Sequence, residues 1–287
     1  MNISQAIIHF TNSLSEFLGQ GEANSCAKIT LEYITKIPFN SLKIEGETEL
    51  QLDEINFMDK VILELKTGRP IQYILNEALF YNLLFYVDDR VLIPRPETEE
   101  LVNLIISPYD FEKPKRVLDI GTGSGCIPIA IAHIKPNWEI FAIDISKGAL
   151  DVAVLNAGNL NANVSFQLVD ILNESYASAF FKKHGPFDII VSNPPYITRD
   201  EKKLLNPNVL NFEPHSALFT DDLDALIFYR RINELAKNHL KPGGELYYEI
   251  NEHKGKEMVE LMKIHNFNEV ELIKDMQNKN RIIKAVK

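Results

Sequence analysis

The sequence predicts an α/β protein, a doubly wound and mostly parallel sheet preceded by a small helical domain. Three observations predict it. From Lys115 onward, short runs rich in branched residues alternate with helical stretches, the pattern that builds a parallel sheet from strand–helix–strand units. A glycine-rich turn, Gly121-Thr122-Gly123-Ser124-Gly125, follows the first of those runs directly. Residues 1 to about 70 instead carry their apolar positions at helical spacing.

The N-terminal helices come first. Ile3, Ile7, Leu14, Phe17 and Leu18 share one helical face. Residues 23–37 and 52–66 repeat the pattern, and Gly68 and Pro70 close the third helix, as Gly after a helix and Pro beyond it commonly do. From Tyr73 to Ile93 the chain turns aromatic and branched, which predicts a hairpin with its turn signal at Asp88-Asp89. A further helix opens at about Glu97. The expected strands are 116–120, 139–144, 164–169, 187–192, 244–250 and 281–286, with helices near 125–134, 146–157, 222–239 and 253–265. The expected division is therefore a helical domain over 1–70, a hairpin linker over 71–94 and the α/β domain over 95–287.

Composition narrows the function classes. The chain has 287 residues, is 45% hydrophobic and 24% charged, and carries a net charge of −10, an ordinary globular composition. Residues 1–88 hold twelve Asp/Glu against six Lys/Arg, so the helical domain lacks the clustered positive charge that duplex binding needs. No direct nucleic-acid binding is expected. Cys26 and Cys126 stand far apart, and the seven His form no ligand spacing, so no metal site is expected. The N-terminus, which has no Lys or Arg in its first 22 residues, fits neither a secretory nor a mitochondrial signal, and no apolar run reaches membrane-spanning length. A cytoplasmic protein is expected.

Two motifs carry chemistry, and both fall at the carboxyl ends of expected strands, where open α/β sheets bind their ligands. The first is Asp119-Ile120-Gly121-Thr122-Gly123-Ser124-Gly125. Glycines let the backbone turn tightly and approach a ligand, and the helix that follows offers free N–H groups. A dinucleotide site wants its third glycine at 126, which is Cys126, and a phosphate-binding loop would need a Lys that is absent. Asp-x-Gly-x-Gly-x-Gly resembles the first motif of the class I S-adenosylmethionine-dependent methyltransferases. Asp144, ending the second strand, suits the two ribose hydroxyls of such a cofactor. Asp170 and Ile171, after the third, suit its adenine, although a capping or turn role for Asp170 fits as well.

The second motif is Asn193-Pro194-Pro195-Tyr196. An amide or exocyclic amine nitrogen shares its lone pair with a π-system and is a poor nucleophile. Asn193 Oδ1 and a carbonyl of the proline turn, that of Pro194, can accept its two N–H bonds and aim the lone pair at a sulfonium methyl. Tyr196 can stack on the flat acceptor. Orientation and preorganised dipoles would supply the rate.

Together these residues resemble the HemK-type protein-(glutamine-N5) methyltransferases. Gly68-Arg-Pro-Ile-Gln-Tyr73, Leu92-Ile-Pro-Arg-Pro-Glu-Thr-Glu99, Glu213-Pro214, Asp221 to Leu226, Lys241-Pro-Gly-Gly244, Asp275 and Arg281 carry the likeness beyond the two motifs. Asn76 stands where the family usually has Gly, and Asn tolerates a left-handed backbone. The Pro-Glu-Thr-Glu form resembles the branch that modifies peptide-chain release factors. The resemblance implies a class I fold with a seven-stranded sheet, S-adenosyl-L-methionine as cofactor and S-adenosyl-L-homocysteine as product. It implies the glutamine of the Gly-Gly-Gln loop of a class 1 release factor as acceptor, with the N-terminal helices docking that partner. Alternatives are an adenine-N6 DNA methyltransferase or a ribosomal RNA guanine-N2 methyltransferase, which share the Asn-Pro-Pro-Tyr motif, and a ribosomal-protein glutamine methyltransferase.

Overall fold

The computed structural model describes the whole chain except residues 39, 43, 108–112, 199–200 and 221–223, and the side chain of residue 204. Its contacts divide the chain into two units, Met1–Glu77 with Asn206–Phe212, and Ala78–Leu205 with Glu213–Lys287.

The smaller unit holds α1 (Ile3–Leu18), α2 (Gln20–Thr35), α3 (Leu52–Lys66) and the short α4 (Ile71–Leu75). Asn2 starts α1 with a reciprocal cap: its side chain accepts from the Gln5 N–H, and the Gln5 side chain accepts from the Asn2 N–H. The single residue Gly19, at φ 78°, turns the chain from α1 into α2. The second helix thus starts earlier than its apolar pattern, and it ends at Lys36 in the left-handed region, leaving Ile37 outside. Phe10, Leu14, Leu31, Met58 and Val61 are fully buried between these helices. Asn76, at φ 55°, ends α4 in the left-handed conformation expected of it.

The larger unit begins with a hairpin, β1 (Glu77–Phe80) and β2 (Leu83–Tyr86). Its turn is Tyr81-Asn82, both at positive φ, the two-residue geometry that matches strand twist. The expected turn at Asp88-Asp89 is a correction: the Asp88 carboxylate instead accepts from Arg90 and from the Tyr86 hydroxyl. Nor is the hairpin a bare linker, since Phe80 and Phe85 are fully buried in the core of the larger unit.

The remaining elements, in order, are α5 (Pro96–Ile106), β3 (Arg116–Ile120), α6 (Cys126–Ile134), β4 (Glu139–Asp144), α7 (Lys147–Asn159), β5 (Ser165–Leu168), α8 (Glu174–His184) and β6 (Phe187–Ser192). Then come α9 (Pro207–Phe212), α10 (His215–Leu218), α11 (Ile227–His239), β7 (Leu240–Glu249), α12 (Gly255–Ile264), β8 (Asn268–Lys274) and β9 (Asn280–Val286). The sheet has seven strands in the order β5-β4-β3-β6-β7-β9-β8, parallel except that β9 runs against both of its neighbours. Helices α8, α11 and α12 cover one face, while α5, α6 and the hairpin cover the other.

The short helices α4, α9 and α10 are additions to the expected elements, and four others depart from expectation. β8 was not anticipated: its Val270 and Leu272 alternate with charged residues on an edge strand, which leaves little apolar signal. α8 was missed for the same reason, having only Ala177, Phe180 and Phe181 buried. β7 starts at Leu240, ahead of the Pro242-Gly243 interruption, because a register shift against β6 accommodates it. Of the helix expected from 222, residues 222–223 lie outside those described, as does Asp221; residues 224–226 form a turn, and the helix is α11. Finally, α9 lies with the smaller unit, where Asn208 and Phe212 pack at the Gly68 turn. Among the described residues no helix is long and apolar enough to cross a membrane, and no cluster of three or more His, Cys, Asp or Glu could hold a metal.

Candidate active site

The glycine turn is built as a left-handed stair. Gly121, Gly123 and Gly125 sit at φ 77°, 54° and 80°, where L side chains are strained. The N–H groups of Gly121 and Thr122 both donate to the carbonyl of Ile143, at 2.8 and 3.1 Å, tying the turn to the end of β4. A methyl at Gly121 or Gly123 would meet no protein atom within 4 Å. These positions face open space. At Gly125 the restraint is opposite: a methyl would meet Ile129 Cδ1 at 2.9 Å and Ala153 Cβ at 3.1 Å, so glycine there lets α6 and α7 close together.

Asp144 ends β4 and fastens the stair from the side. Its Oδ2 accepts from the Gly123 N–H at 2.9 Å and its Oδ1 from the Ser146 N–H at 2.8 Å. A carboxylate has about four acceptor sites, so each oxygen can take a further hydroxyl. Burial raises its pKa. Capping of α7 falls to Ser146, whose side chain accepts from the Ala149 N–H.

Beneath the stair lies Asp119, 1% exposed, whose two carboxylate oxygens accept no hydrogen bond among the described residues. Burial pushes its carboxyl up to about 7. The Thr122 hydroxyl is buried beside it and acts against that rise. Unpaired polar groups are rare in folded interiors, and an acid of this kind is matched to a cationic or hydrogen-bonding ligand.

Gly121 to Ser124 and Asp144 border a cavity of about 340 Å³ contained in the larger unit. Of the sequence-predicted residues, Gly121, Thr122, Gly123, Ser124, Asp144, Asp170 and Ile171 line it, and so do Asn193, Pro194 and Pro195. Asp119, Gly125 and Tyr196 do not. Asp170 also holds a turn, since its Oδ1 accepts from the Leu172 N–H at 2.9 Å. Ile171 is buried and Leu172 exposed, so the wall near Asp170 is apolar. Ser192 donates to the Ile120 carbonyl at 2.7 Å and fixes the end of β6, and with it Asn193, against β3. Tyr196 follows Pro195 at the cavity's edge, and its partly buried ring packs against the core that includes Tyr229 and Ile232 of α11. Burial pushes its hydroxyl well above the usual range.

Several site residues carry no local chemical signal in the sequence, Glu213 entering there only through the family resemblance. Asn156, fully buried on α7, donates to the carbonyls of Ser124 and Tyr86 and accepts from the Tyr86 N–H. It stitches the glycine turn to the hairpin. Glu213, 1% exposed at its side chain, accepts from Arg95 at 2.5 Å and from the Ile93 N–H at 3.3 Å, holding Pro94 and Arg95 in the cavity wall. Glu249, at the end of β7, accepts from the Thr98 hydroxyl at 2.6 Å. A polar residue inside a helix or strand reads as surface until its buried partner is known.

A methyltransferase-domain family matches residues 111–286. The fold is that of a class I methyltransferase. The chain is 44% identical over 281 residues to a release factor glutamine methyltransferase of Flavobacterium psychrophilum, with 96% of each chain covered. It is 39% identical over 276 residues to that of Streptococcus pneumoniae, covering 96% of this chain and 95% of the other. It therefore belongs to the release factor glutamine methyltransferase family. Among solved structures, a methyltransferase from Pyrococcus furiosus shares the fold at a TM-score of 0.50 and 19% identity, over 80% of this chain and 97% of that one.

Proposed function

We propose that this protein transfers a methyl group from S-adenosyl-L-methionine to the side-chain amide nitrogen of the glutamine in the Gly-Gly-Gln loop of a class 1 peptide-chain release factor, leaving S-adenosyl-L-homocysteine. The observation that carries the proposal is one cavity whose wall holds both the glycine stair with Asp144 and the Asn193-Pro194-Pro195 turn. The relatives named as release factor glutamine methyltransferases, similar along nearly the whole chain, support the choice of acceptor.

The residues present fit this cofactor. Asp144 has free acceptor sites for a ribose diol, Ile171 and Leu172 offer an apolar flank for adenine, and the open faces of Gly121 and Gly123 leave room for the aminoacyl part. The unpartnered Asp119 carboxylate lies beneath that part and suits a positive field. Bound there, S-adenosyl-L-methionine supplies an electrophilic sulfonium methyl. Asn193 Oδ1 and the Pro194 carbonyl accept the two N–H bonds of the glutamine amide. That holds the nitrogen's lone pair toward the methyl and favours the positive charge that develops on it. The two prolines stiffen the turn so that this geometry exists before the substrate arrives. No base is needed ahead of transfer, because the nitrogen becomes acidic only after it gains the methyl.

The acidic N-terminal helices are the docking surface of this reading, and a partner that works on the ribosome places the reaction in the cytoplasm. The test is incubation with methyl-labelled cofactor and either release factor or nucleic acid, followed by peptide mapping. Label on the Gly-Gly-Gln glutamine is the expected result. Label on DNA, ribosomal RNA or a ribosomal protein, with none on release factor, would refute the proposal.

A further inference from the structure

Behind one wall of the cavity stands an arginine that is not part of the lining. Val169, Asp170, Ile171 and Leu172, in the turn between β5 and α8, form that wall, and Phe228 and Ile232 of α11 line the cavity too. Arg231 lies beside Ile232 on α11 and reaches the turn from outside. Its Nε–H donates to the Ile171 carbonyl at 2.8 Å, its Nη2 to Glu174 at 2.5 Å and its Nη1 to Glu234 at 3.2 Å. The Arg231 side chain is 16% exposed, while that of Glu174 is 74% exposed. The same turn is tied to β4 by the Val169 N–H, which donates to the Asp144 carbonyl at 2.9 Å, and to itself by the Leu172 N–H, which donates to the Asp170 carboxylate.

Ion pairs to exposed carboxylates are worth little, so the bond that carries weight is the charge-assisted one to the Ile171 carbonyl. The geometry points to Arg231 as a positioning residue for the cofactor's adenine, acting through that carbonyl to fix the wall the ring lies against. The inference rests on the reading of this cavity as an S-adenosyl-L-methionine site. A turn lacks the ladder that orders a strand, and without Arg231 its Ile171 end has to be ordered when the ligand arrives. A wall ordered beforehand removes that cost and tightens binding. The reacting groups are held by other elements, the glycine stair and the Asn193-Pro194-Pro195 turn, so the effect falls on cofactor affinity and leaves the rate of transfer from bound cofactor as it is.

The test is isothermal titration with S-adenosyl-L-homocysteine and with 5′-methylthioadenosine, which keeps the adenine and ribose and lacks the aminoacyl part. Arg231→Met keeps the stem and removes the guanidinium. It is expected to raise Kd about tenfold for both ligands, with kcat at saturating cofactor and KM for release factor at their wild-type values. Arg231→Lys, which can still donate to the Ile171 carbonyl, is expected to recover part of the loss. Glu174→Gln removes the exposed partner and is expected to leave both Kd values unchanged. Wild-type Kd values in Arg231→Met overturn the inference while leaving the methyltransferase reading intact. An equal loss in Glu174→Gln overturns it too, because the exposed ion pair then carries the effect, and so does a fall in kcat with Kd unchanged. A loss for S-adenosyl-L-homocysteine alone also overturns it, since Arg231 then serves the aminoacyl end. A wild-type protein that binds neither ligand removes the cofactor reading and the inference together.

Discussion

Replacing Gly125 with Ala tests the construction of the glycine stair with little change in chemistry. The residue sits at φ 80°, which costs an L side chain about 1–2 kcal/mol. Its new methyl would stand 2.9 Å from Ile129 Cδ1, 3.1 Å from Ala153 Cβ and 3.4 Å from Ala153 Cα. The isoleucine end can rotate away, but the Ala153 contacts involve the body of α7, so the two helices must part. Overpacking of that kind costs about 1–3 kcal/mol. The sum centres at about 3.5 kcal/mol, which at about 2–4 °C per kcal/mol lowers Tm by roughly 7–14 °C. Differential scanning calorimetry reads it directly. Gly158→Ala is the control, because that glycine lies in the same helix with nothing within 4 Å of an added methyl; it should leave Tm unchanged or raise it slightly. A Gly125→Ala protein melting within about 2 °C of wild type refutes the argument from close approach.

Three further outcomes are expected. Asp144→Ala should weaken cofactor binding by roughly 10- to 150-fold, the worth of a charged hydrogen bond, in isothermal titration with the product form; an unchanged Kd would count against the ribose assignment. Asn193→Ala should lower kcat about a hundredfold to a thousandfold, as loss of a preorganised polar contact does, with cofactor Kd intact, and full activity would remove Asn193 from the acceptor role. The third concerns pH. Asp119 is raised from 3.8 to about 7 in the folded chain, so the native state holds its proton where the unfolded state has lost it. Its contribution to stability is complete below about pH 4 and is lost as pH rises through about 7. Ligand-free Asp119→Asn should therefore show a flatter Tm profile across that range than wild type, and identical slopes would locate the titration elsewhere.

Much of the site was legible because glycine and proline state their backbone geometry outright. Gly121, Gly123 and Gly125 occur at a strand end where only left-handed backbone fits, and Asn193-Pro194-Pro195 can only end a strand. The parallel strands β3, β4 and β6 were equally plain, being continuous apolar runs buried on both faces. What stayed hidden depends on pairing at a distance. Asn156 and Glu249 are polar residues whose partners lie 70 and 151 positions away, and no local pattern marks such a pair. Tyr196 is divided between the two. Its neighbours Asn193, Pro194 and Pro195 line the cavity, while the partly buried Tyr196 ring also packs against the core. The hairpin turn was misplaced because Asp88-Asp89 looks like a turn by composition, while Tyr81-Asn82 turns by conformation.

The placement of α9 has a consequence for how this chain can be taken apart. Backbone passes between the two units at Glu77, again at Asn206 and again at Phe212, so the helical unit is not a cassette strung at one end of the enzyme. A cut after residue 77 would not release it intact: α9 would stay with the catalytic fragment, leaving the turn at Gly68 without Asn208 and Phe212. Neither fragment would be a finished domain. Swapping in the helices of a relative would therefore require carrying 206–212 along with them, two inserts separated by more than a hundred residues of chain.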